Sequence, residues 1–176
     1  AKQRTGMELT LCGIAKGFGV DKLAEHLDTE GIDRYLVEIG GELRARGHGP
    51  RGEPWRVGIE KPVPGRRVVQ RVVELDGNAI ASSGNYRNFF DSGGMRLSHI
   101  IDPRTGEPIS HNLVSVTVIA PTAMQADALS TALMVLGPVA GLELAEREQS
   151  AALFITRNKA GFVETDSSEF KQYRPG

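Results

Sequence analysis

One apolar run, Leu113–Ala120, constrains the fold more than any other part of the sequence. It reads Leu-Val-Ser-Val-Thr-Val-Ile-Ala and is rich in β-branched residues, which is typical of a strand. Pro121 ends this strand. Thr122, with Gln125 three residues later, predicts a capping box and a helix that runs to Leu136. The chain therefore has to combine a sheet with helices.

The rest of the sequence predicts two more helices and several short strands. The helices are Gly13 to Glu30 and about Val139–Arg147, and a helical turn is predicted at Ser168–Tyr173. Strands are predicted at Tyr35–Ile39, Glu42–Arg46, Trp55–Glu60, Val68–Leu75, Ala79–Ser82, Leu97–Ile101, Ala151–Thr156 and Phe162–Thr165, with a loop from Ser83 to Gly94. Neighbouring strands followed by helices predict an α+β fold with a mixed, largely antiparallel sheet packed with helices.

Length and composition exclude several classes of protein. A chain of 176 residues fits one domain, and we expect residues 1–176 to form it. Its 21 Lys and Arg against 22 Asp and Glu argue against a nucleic-acid binder, which usually has a basic excess. The single cysteine excludes an intramolecular disulfide, and no apolar run is long enough to predict a membrane span.

Glycines mark places where the backbone is closely approached. Gly17 and Gly19 lie near the start of the first predicted helix, where each costs roughly 0.5–1 kcal/mol relative to alanine. Their presence predicts close contact with another segment or with a ligand. The run Gly47–Gly52 matches G-x-G-x-x-G, but Pro50 and the strand at Trp55 follow it. Because a dinucleotide fingerprint needs a helix there, we interpret this run as a hairpin turn.

The capped helix has an unusual polar face. Asp127, Ser130, Thr131 and Met134 fall on one side at helical spacing, and leucines fall on the opposite side. A carboxylate with two hydroxyls offers hard oxygen ligands that suit Mg²⁺. The alternative is a face that is merely solvated.

Two other segments are candidates for chemistry. His99 sits on a short strand before a polar turn, where it would act as a general base or as a phosphate-binding cation, or would be only a structural or exposed histidine. The loop from Ser82 to Phe90 has small residues whose backbone N–H groups could cradle phosphate. Its aromatic residues are expected to anchor it in the core.

Four blocks, in this order, carry a family resemblance. They are Gly13-Ile14-Ala15-Lys16-Gly17-Phe18-Gly19-Val20-Asp21, Ile39-Gly40-Gly41-Glu42, Ser83-Gly84-Asn85-Tyr86-Arg87 leading to Ser98–Gly106, and Ser115–Ala120 leading to Ala126–Leu133. From about Leu9 to the C-terminus, the sequence resembles the FAD:protein FMN transferases of the ApbE family.

The resemblance implies an Mg²⁺-dependent enzyme that uses FAD as substrate. Members of the family attach FMN by a phosphoester bond to a Thr or Ser of a partner flavoprotein and release AMP. Two alternatives stay open, namely an Mg²⁺-dependent FAD pyrophosphatase that gives FMN and AMP, and a non-catalytic FAD-binding protein. No nucleic-acid partner is expected.

The resemblance also assigns a metal site and a reacting group. A backbone carbonyl at or near Gly13 would complete an Mg²⁺ site with Asp127, Ser130 and Thr131. His99 and Asp127 are the implied catalytic residues, with His99 acting on the phosphoryl acceptor or orienting the pyrophosphate.

Contacts to FAD are implied for Thr10, Lys16 and the backbone of Ile101. Family members often carry Asp at the position of Thr10. They carry a small Gly or Ser at the position of Cys12, which we therefore expect to be a small buried residue.

The resemblance further implies where the protein acts. Family members extend well upstream of the first block, and that region contributes to the flavin pocket, so the chain is expected to be the C-terminal portion of a longer enzyme. The family works in the periplasm, usually anchored to the inner membrane by a lipid on an N-terminal cysteine that this chain lacks. Membrane attachment is expected only through such an anchor.

Overall fold

The computed structural model describes Gly6 and residues 8–63, 65–85, 89–92 and 95–173. Within these ranges three α-helices and ten strands follow one another, and a 3₁₀ turn at Glu169–Tyr173 comes last. The helices are α1 (Ala15–Thr29), α2 (Ala123–Leu136) and α3 (Pro138–Arg147). The strands are β1 (Tyr35–Ile39), β2 (Glu42–Arg46), β3 (Trp55–Glu60), β4 (Val69–Leu75), β5 (Ala79–Gly84), β6 (Phe89–Ser92), β7 (Met95–Ser98), β8 (Leu113–Ala120), β9 (Ala151–Asn158) and β10 (Gly161–Asp166).

Six of the strands form one sheet in the order β1-β2-β5-β8-β9-β10. Each neighbouring pair within it is antiparallel. The strands β3 and β4 form a separate antiparallel pair, as do β6 and β7. The predicted α+β class with a largely antiparallel sheet is confirmed.

The strand β8 is buried along its whole length because both faces of the sheet are covered there. Val116 and Val118 pack with Leu133 of α2 and Phe154 of β9 in one hydrophobic cluster. On the opposite face, Ile119 packs in a second cluster that includes residues of the β3–β4 pair, such as Ile59, Val73 and Leu75. A strand covered on both sides needs apolar residues at successive positions, which is the pattern that the sequence shows.

The helices α1 and α2 approach each other very closely. A Cβ atom added to Gly17 would lie 2.3 Å from the carbonyl oxygen of Ala123, so only glycine fits at this position. A Cβ atom on Gly19 would lie 3.1 Å from Cδ1 of Ile39. The close approach predicted for these two glycines is made by protein segments in both cases.

Each of these two helices supplies a carboxylate to the first turn of the other. Asp21 of α1 accepts hydrogen bonds from the backbone N–H groups of Ala123 and Met124, both at 2.9 Å. Asp127 of α2 accepts one from the N–H of Gly17 at 3.0 Å. Because the first N–H groups of a helix have no partner within it, this reciprocal capping satisfies donors that the crossing would otherwise bury unpaired.

The largest differences from the predicted elements lie between Ser83 and Ile101. The strand β5 continues to Gly84, and β6 occupies part of the predicted loop. The strand β7 ends at Ser98, and Ile101 forms only an isolated bridge with Pro108. This segment is rich in Gly, Asn and Ser, so no alternation of apolar residues marked the β6–β7 pair. Residues 86–88 lie outside the described residues, and the expectation that the loop's aromatics anchor it stays a prediction.

Cys12 is exposed, so the prediction that it is buried is wrong, because the segment before α1 lies on the surface. Among the helices that the structure describes, none is long and apolar enough to cross a membrane.

Replacing Gly17 tests the helix crossing. We expect Gly17→Ala to lower the free energy of unfolding by about 2 kcal/mol or more, because the new methyl group has to displace the Ala123 backbone. Urea denaturation followed by circular dichroism measures the change. Gly19→Ala is the matched control in the same helix, since it meets only the flexible end of the Ile39 side chain. It should stay within about 1 kcal/mol of the wild type, and an equal loss in both variants would contradict the crossing geometry.

Candidate functional site

The polar face of α2 is buried. Asp127 is 3% exposed and Ser130 is 0% exposed, while Thr131 is half-buried. The alternative of a merely solvated face is therefore wrong. Buried polar groups need partners, since an unpaired carboxylate or hydroxyl costs free energy away from water. The partners of these side chains define the candidate site.

The carboxylate of Asp127 lies at the start of α1. Its Oδ2 atom accepts the hydrogen bond from Gly17, which is in the first turn of that helix. The N-terminal end of a helix carries a partial positive charge and stabilises an anion beside it. The fold thus holds a carboxylate oxygen in a fixed position on the helix face that also carries the Ser130 and Thr131 hydroxyls.

The backbone before α1 lies against the same face of α2. A Cβ atom on Gly13 would lie 3.1 Å from both Oγ1 and Cγ2 of Thr131. The structure therefore brings Gly13 next to Thr131 and Gly17 next to Asp127, along one seam between the start of α1 and α2. Of the residues expected to hold the metal, Gly13, Asp127 and Thr131 lie along this seam, and Ser130 lies on the same face of α2.

A third hydroxyl joins this cluster from the sheet. Ser83, on β5, places its Oγ atom 3.0 Å from Oγ of Ser130 and 3.1 Å from Oγ1 of Thr131. Ser130 also donates a hydrogen bond to the backbone carbonyl of Asp127 at 3.0 Å. From the sequence, Ser83 was expected to act only through its backbone in a phosphate-cradling loop, because nothing local links it to α2.

Lys16 pairs with a buried carboxylate. Its Nζ atom lies 2.5 Å from Oε1 of Glu42, and Lys16 is 45% exposed whereas Glu42 is 2% exposed. Within the described part of the chain, Oε2 of Glu42 has no hydrogen-bond partner. Burial raises the pKa of Glu42, Lys16 opposes that rise, and the nearby charge of Asp127 adds to it.

Sequence reasoning gave no role to Glu42 or Asp21. Glu42 follows the Gly40-Gly41 turn in one of the blocks of the resemblance, and that position was the available signal. Asp21 lies beside Val20 on the buried face of α1, so a charged residue among buried positions could have indicated it. Asp21 also accepts a hydrogen bond from Arg44 at 2.9 Å, which supplies the opposite charge.

The other predicted site residues lie in exposed segments. His99 follows β7 and is exposed, and Ile101 is exposed where it bridges to Pro108. Thr10 is exposed, and its Oγ1 atom accepts a hydrogen bond from the N–H of Cys12 at 3.2 Å. In the turn after Ile101, hydrogen bonds from Arg104 lower the pKa of Asp102 to about 2. The roles of His99, Ile101 and Thr10 stay predictions from the resemblance.

The oxygen atoms along the seam would suit a hard divalent cation. No group of three or more His, Cys, Asp or Glu side chains suited to a metal occurs in the described parts of the chain. A cation at this seam would have one carboxylate, hydroxyls and backbone carbonyls. Such a sparse oxygen set suits Mg²⁺, which usually keeps several waters or substrate phosphates in its shell.

Comparison with known proteins decides the family. The sequence pattern described as the ApbE family matches residues 1–155, most of the chain. The chain belongs to the ApbE family. The FAD:protein FMN transferase of Escherichia coli is 48% identical over 172 residues, which cover 98% of this chain. That of Haemophilus influenzae is 51% identical over 163 residues, which cover 92% of this chain.

Solved structures of ApbE proteins share the fold. The apo form of the flavinyl transferase ApbE of Pseudomonas stutzeri has a TM-score of 0.84 and 48% identity, over 96% of this chain and 52% of that one. The flavin transferase ApbE of Vibrio cholerae has a TM-score of 0.86 and 45% identity, over 98% of this chain and 55% of that one. The match spans 49% of the Escherichia coli relative and 47% of the Haemophilus influenzae relative, so this ApbE chain covers about half of their length.

The raised pKa of Glu42 predicts how stability depends on pH. Above the ordinary value of 4.5 the unfolded chain releases the Glu42 proton before the folded chain does, so rising pH favours unfolding until the raised pKa is passed. Glu42→Gln removes this titration. We therefore expect the free energy of unfolding of Glu42→Gln to increase relative to that of the wild type as the pH rises from about 4.5.

Urea denaturation at several pH values measures this difference. Glu38→Gln is the control, because Glu38 is an exposed glutamate on the neighbouring strand β1. The difference in free energy of unfolding between Glu38→Gln and the wild type should stay constant with pH. A difference between Glu42→Gln and the wild type that is also constant across the range would contradict the predicted titration.

Proposed function

We propose that this ApbE-family chain takes part in transferring FMN from FAD to a Thr or Ser hydroxyl of a partner flavoprotein. The observation that carries the proposal is the buried Asp127 carboxylate on the same face of α2 as the Ser130 and Thr131 hydroxyls, with the Gly13 backbone against Thr131. The names of the similar proteins support the same chemistry.

The reaction exchanges one phosphorus–oxygen bond for another. The acceptor hydroxyl oxygen bonds to the phosphorus on the FMN side of the pyrophosphate, and the bond from that phosphorus to the bridging oxygen breaks. AMP leaves with the bridging oxygen, and the acceptor hydroxyl loses its proton. His99 is the proposed acceptor of this proton, because histidine is the side chain that most often serves as a general base.

The seam between α1 and α2 is the proposed magnesium site. Asp127, Ser130, Thr131 and a carbonyl at or near Gly13 would hold Mg²⁺, which neutralises pyrophosphate charge when bound. The oxygen set described above fits this ion. The N–H of Gly17 and the start of α1 hold the Asp127 carboxylate in position for it.

FAD contacts are proposed for Thr10, Lys16 and the Ile101 backbone. Lys16 is the best supported of these, because its ammonium group is partly exposed and is held by Glu42 near the start of α1. A cation at this place would attract the phosphates of FAD. The acceptor flavoprotein, the periplasmic location and attachment through a lipid anchor are proposed from the family resemblance.

Incubation with FAD, Mg²⁺ and an acceptor peptide containing threonine tests the proposal. We expect an FMN adduct on the peptide by mass spectrometry and an equal amount of AMP by chromatography. Asp127→Ala should lower the rate by about 100-fold or more, because a metal ligand is lost. Asp33→Ala is the control, since the Asp33 side chain is 83% exposed, and it should keep the wild-type rate.

Omitting the acceptor separates the alternatives. Release of FMN and AMP at the same rate without the peptide, with no adduct in its presence, would replace the transferase with an FAD pyrophosphatase. Tight FAD binding that needs no Mg²⁺, without turnover, would indicate a non-catalytic FAD-binding protein. Either result, or a rate that Asp127→Ala leaves unchanged, would overturn the proposal.

A further inference from the structure

The side of β5 that faces α2 brings the Ser83 hydroxyl against two residues of the proposed magnesium site. Ala81, two residues earlier on the same strand, belongs to the cluster that packs against α2, so Ser83 points to the same side. Its Oγ atom lies between the hydroxyls of Ser130 and Thr131, within hydrogen-bond distance of both. Three hydroxyl groups thus share one network.

The directions of these hydrogen bonds follow from counting hydrogens. Each hydroxyl has one hydrogen to donate and two lone pairs. Ser130 gives its hydrogen to the carbonyl of Asp127, because a carbonyl oxygen can only accept. Ser130 must then accept from Ser83, which uses the hydrogen of Ser83. Ser83 in turn must accept from Thr131.

The hydrogen bonds therefore run in one direction, because Thr131 donates to Ser83, Ser83 donates to Ser130, and Ser130 donates to the Asp127 carbonyl. Each of the three hydroxyl hydrogens is thus donated to a protein acceptor. The hydroxyl oxygens of Thr131 and Ser130 still have free lone pairs, and lone pairs are what bind a cation. A hydroxyl whose hydrogen pointed towards the cation would repel it instead.

We infer that Ser83 is a positioning residue for the magnesium site, because it takes the Thr131 hydrogen and orients the hydroxyls of both Thr131 and Ser130. This inference rests on the proposed function, since it concerns the ion proposed there. It requires no contact between Ser83 and the ion. Partners of this kind behind metal ligands typically change metal affinity by about 10–100-fold when they are removed.

The preceding residue provides a matched control. Ser82 lies on the opposite side of the same strand and forms the same type of bond, with its Oγ atom 2.8 Å from Oγ1 of Thr117. Ser82→Ala and Ser83→Ala therefore remove the same atom from adjacent positions of β5. Only the second removes a hydroxyl that contacts α2 residues.

Titration with Mn²⁺, monitored by its electron paramagnetic resonance signal and repeated with Mg²⁺ as competitor, measures the affinity without any need for turnover. Mn²⁺ is the probe because it shares the octahedral oxygen coordination of Mg²⁺. We expect Ser83→Ala to raise the Kd by about tenfold or more. Ser82→Ala should leave it within about twofold of the wild type.

Each other outcome overturns a defined part of the account. An unchanged Kd in Ser83→Ala, with binding lost in Asp127→Ala, would overturn the role of Ser83 and leave the proposed function standing. An equal rise of the Mn²⁺ Kd in Ser82→Ala and Ser83→Ala would show that either substitution disturbs the structure of β5, and it would also overturn that role. No binding by the wild type would overturn the proposed magnesium site together with this inference.

Discussion

Two carboxylates, one on each of α1 and α2, cap the first turn of the opposite helix and so fix how these helices cross. Asp21 binds the start of α2, and Asp127 binds the start of α1. The contact is possible only because Gly17 lets the backbone of α1 lie against Ala123. Each carboxylate is nearly buried and has backbone N–H groups as donors, so neither is a buried charge without compensation.

This crossing also places the candidate site. The same contact that caps α1 fixes the Asp127 carboxylate, and it brings the backbone at Gly13 against Thr131. A carboxylate that serves helix packing and the proposed ion site would be positioned before any ligand arrives. Such preorganisation lowers the reorganisation that binding would otherwise require. Lys16 and Glu42 extend the polar seam towards the exposed side of α1.

Much of the fold could be predicted from the sequence, because its signals are local. The run Leu113–Ala120 is apolar at most positions, and the strand β8 has these bounds. The Thr122 cap is present too, since its Oγ1 atom accepts from the N–H of Gln125 at 3.2 Å. The strand β6 was missed, and β7 was predicted only from Leu97 onwards, because these short strands lack an alternating pattern and depend on pairing with each other rather than on local propensity.

The site was predictable only where its residues share one helix. Asp127, Ser130 and Thr131 lie at helical spacing, so sequence alone placed them on one face. Gly13 was assigned to the site only through the family resemblance. Ser83 is 47 residues from Ser130 in the chain, and the contact exists only because β5 and α2 are packed together. The role of Glu42 likewise depends on Lys16, which is 26 residues away.

The claim that Asp127 serves both the helix crossing and a bound cation is tested most directly by Asp127→Asn. An asparagine oxygen can still accept the hydrogen bond from Gly17, but it carries no charge. Thermal unfolding with and without Mg²⁺ is the measurement. We predict that Mg²⁺ raises the unfolding midpoint of the wild type and not that of Asp127→Asn, while the metal-free proteins differ by no more than about 1 kcal/mol. A Mg²⁺-dependent rise that persists in Asp127→Asn would contradict the account.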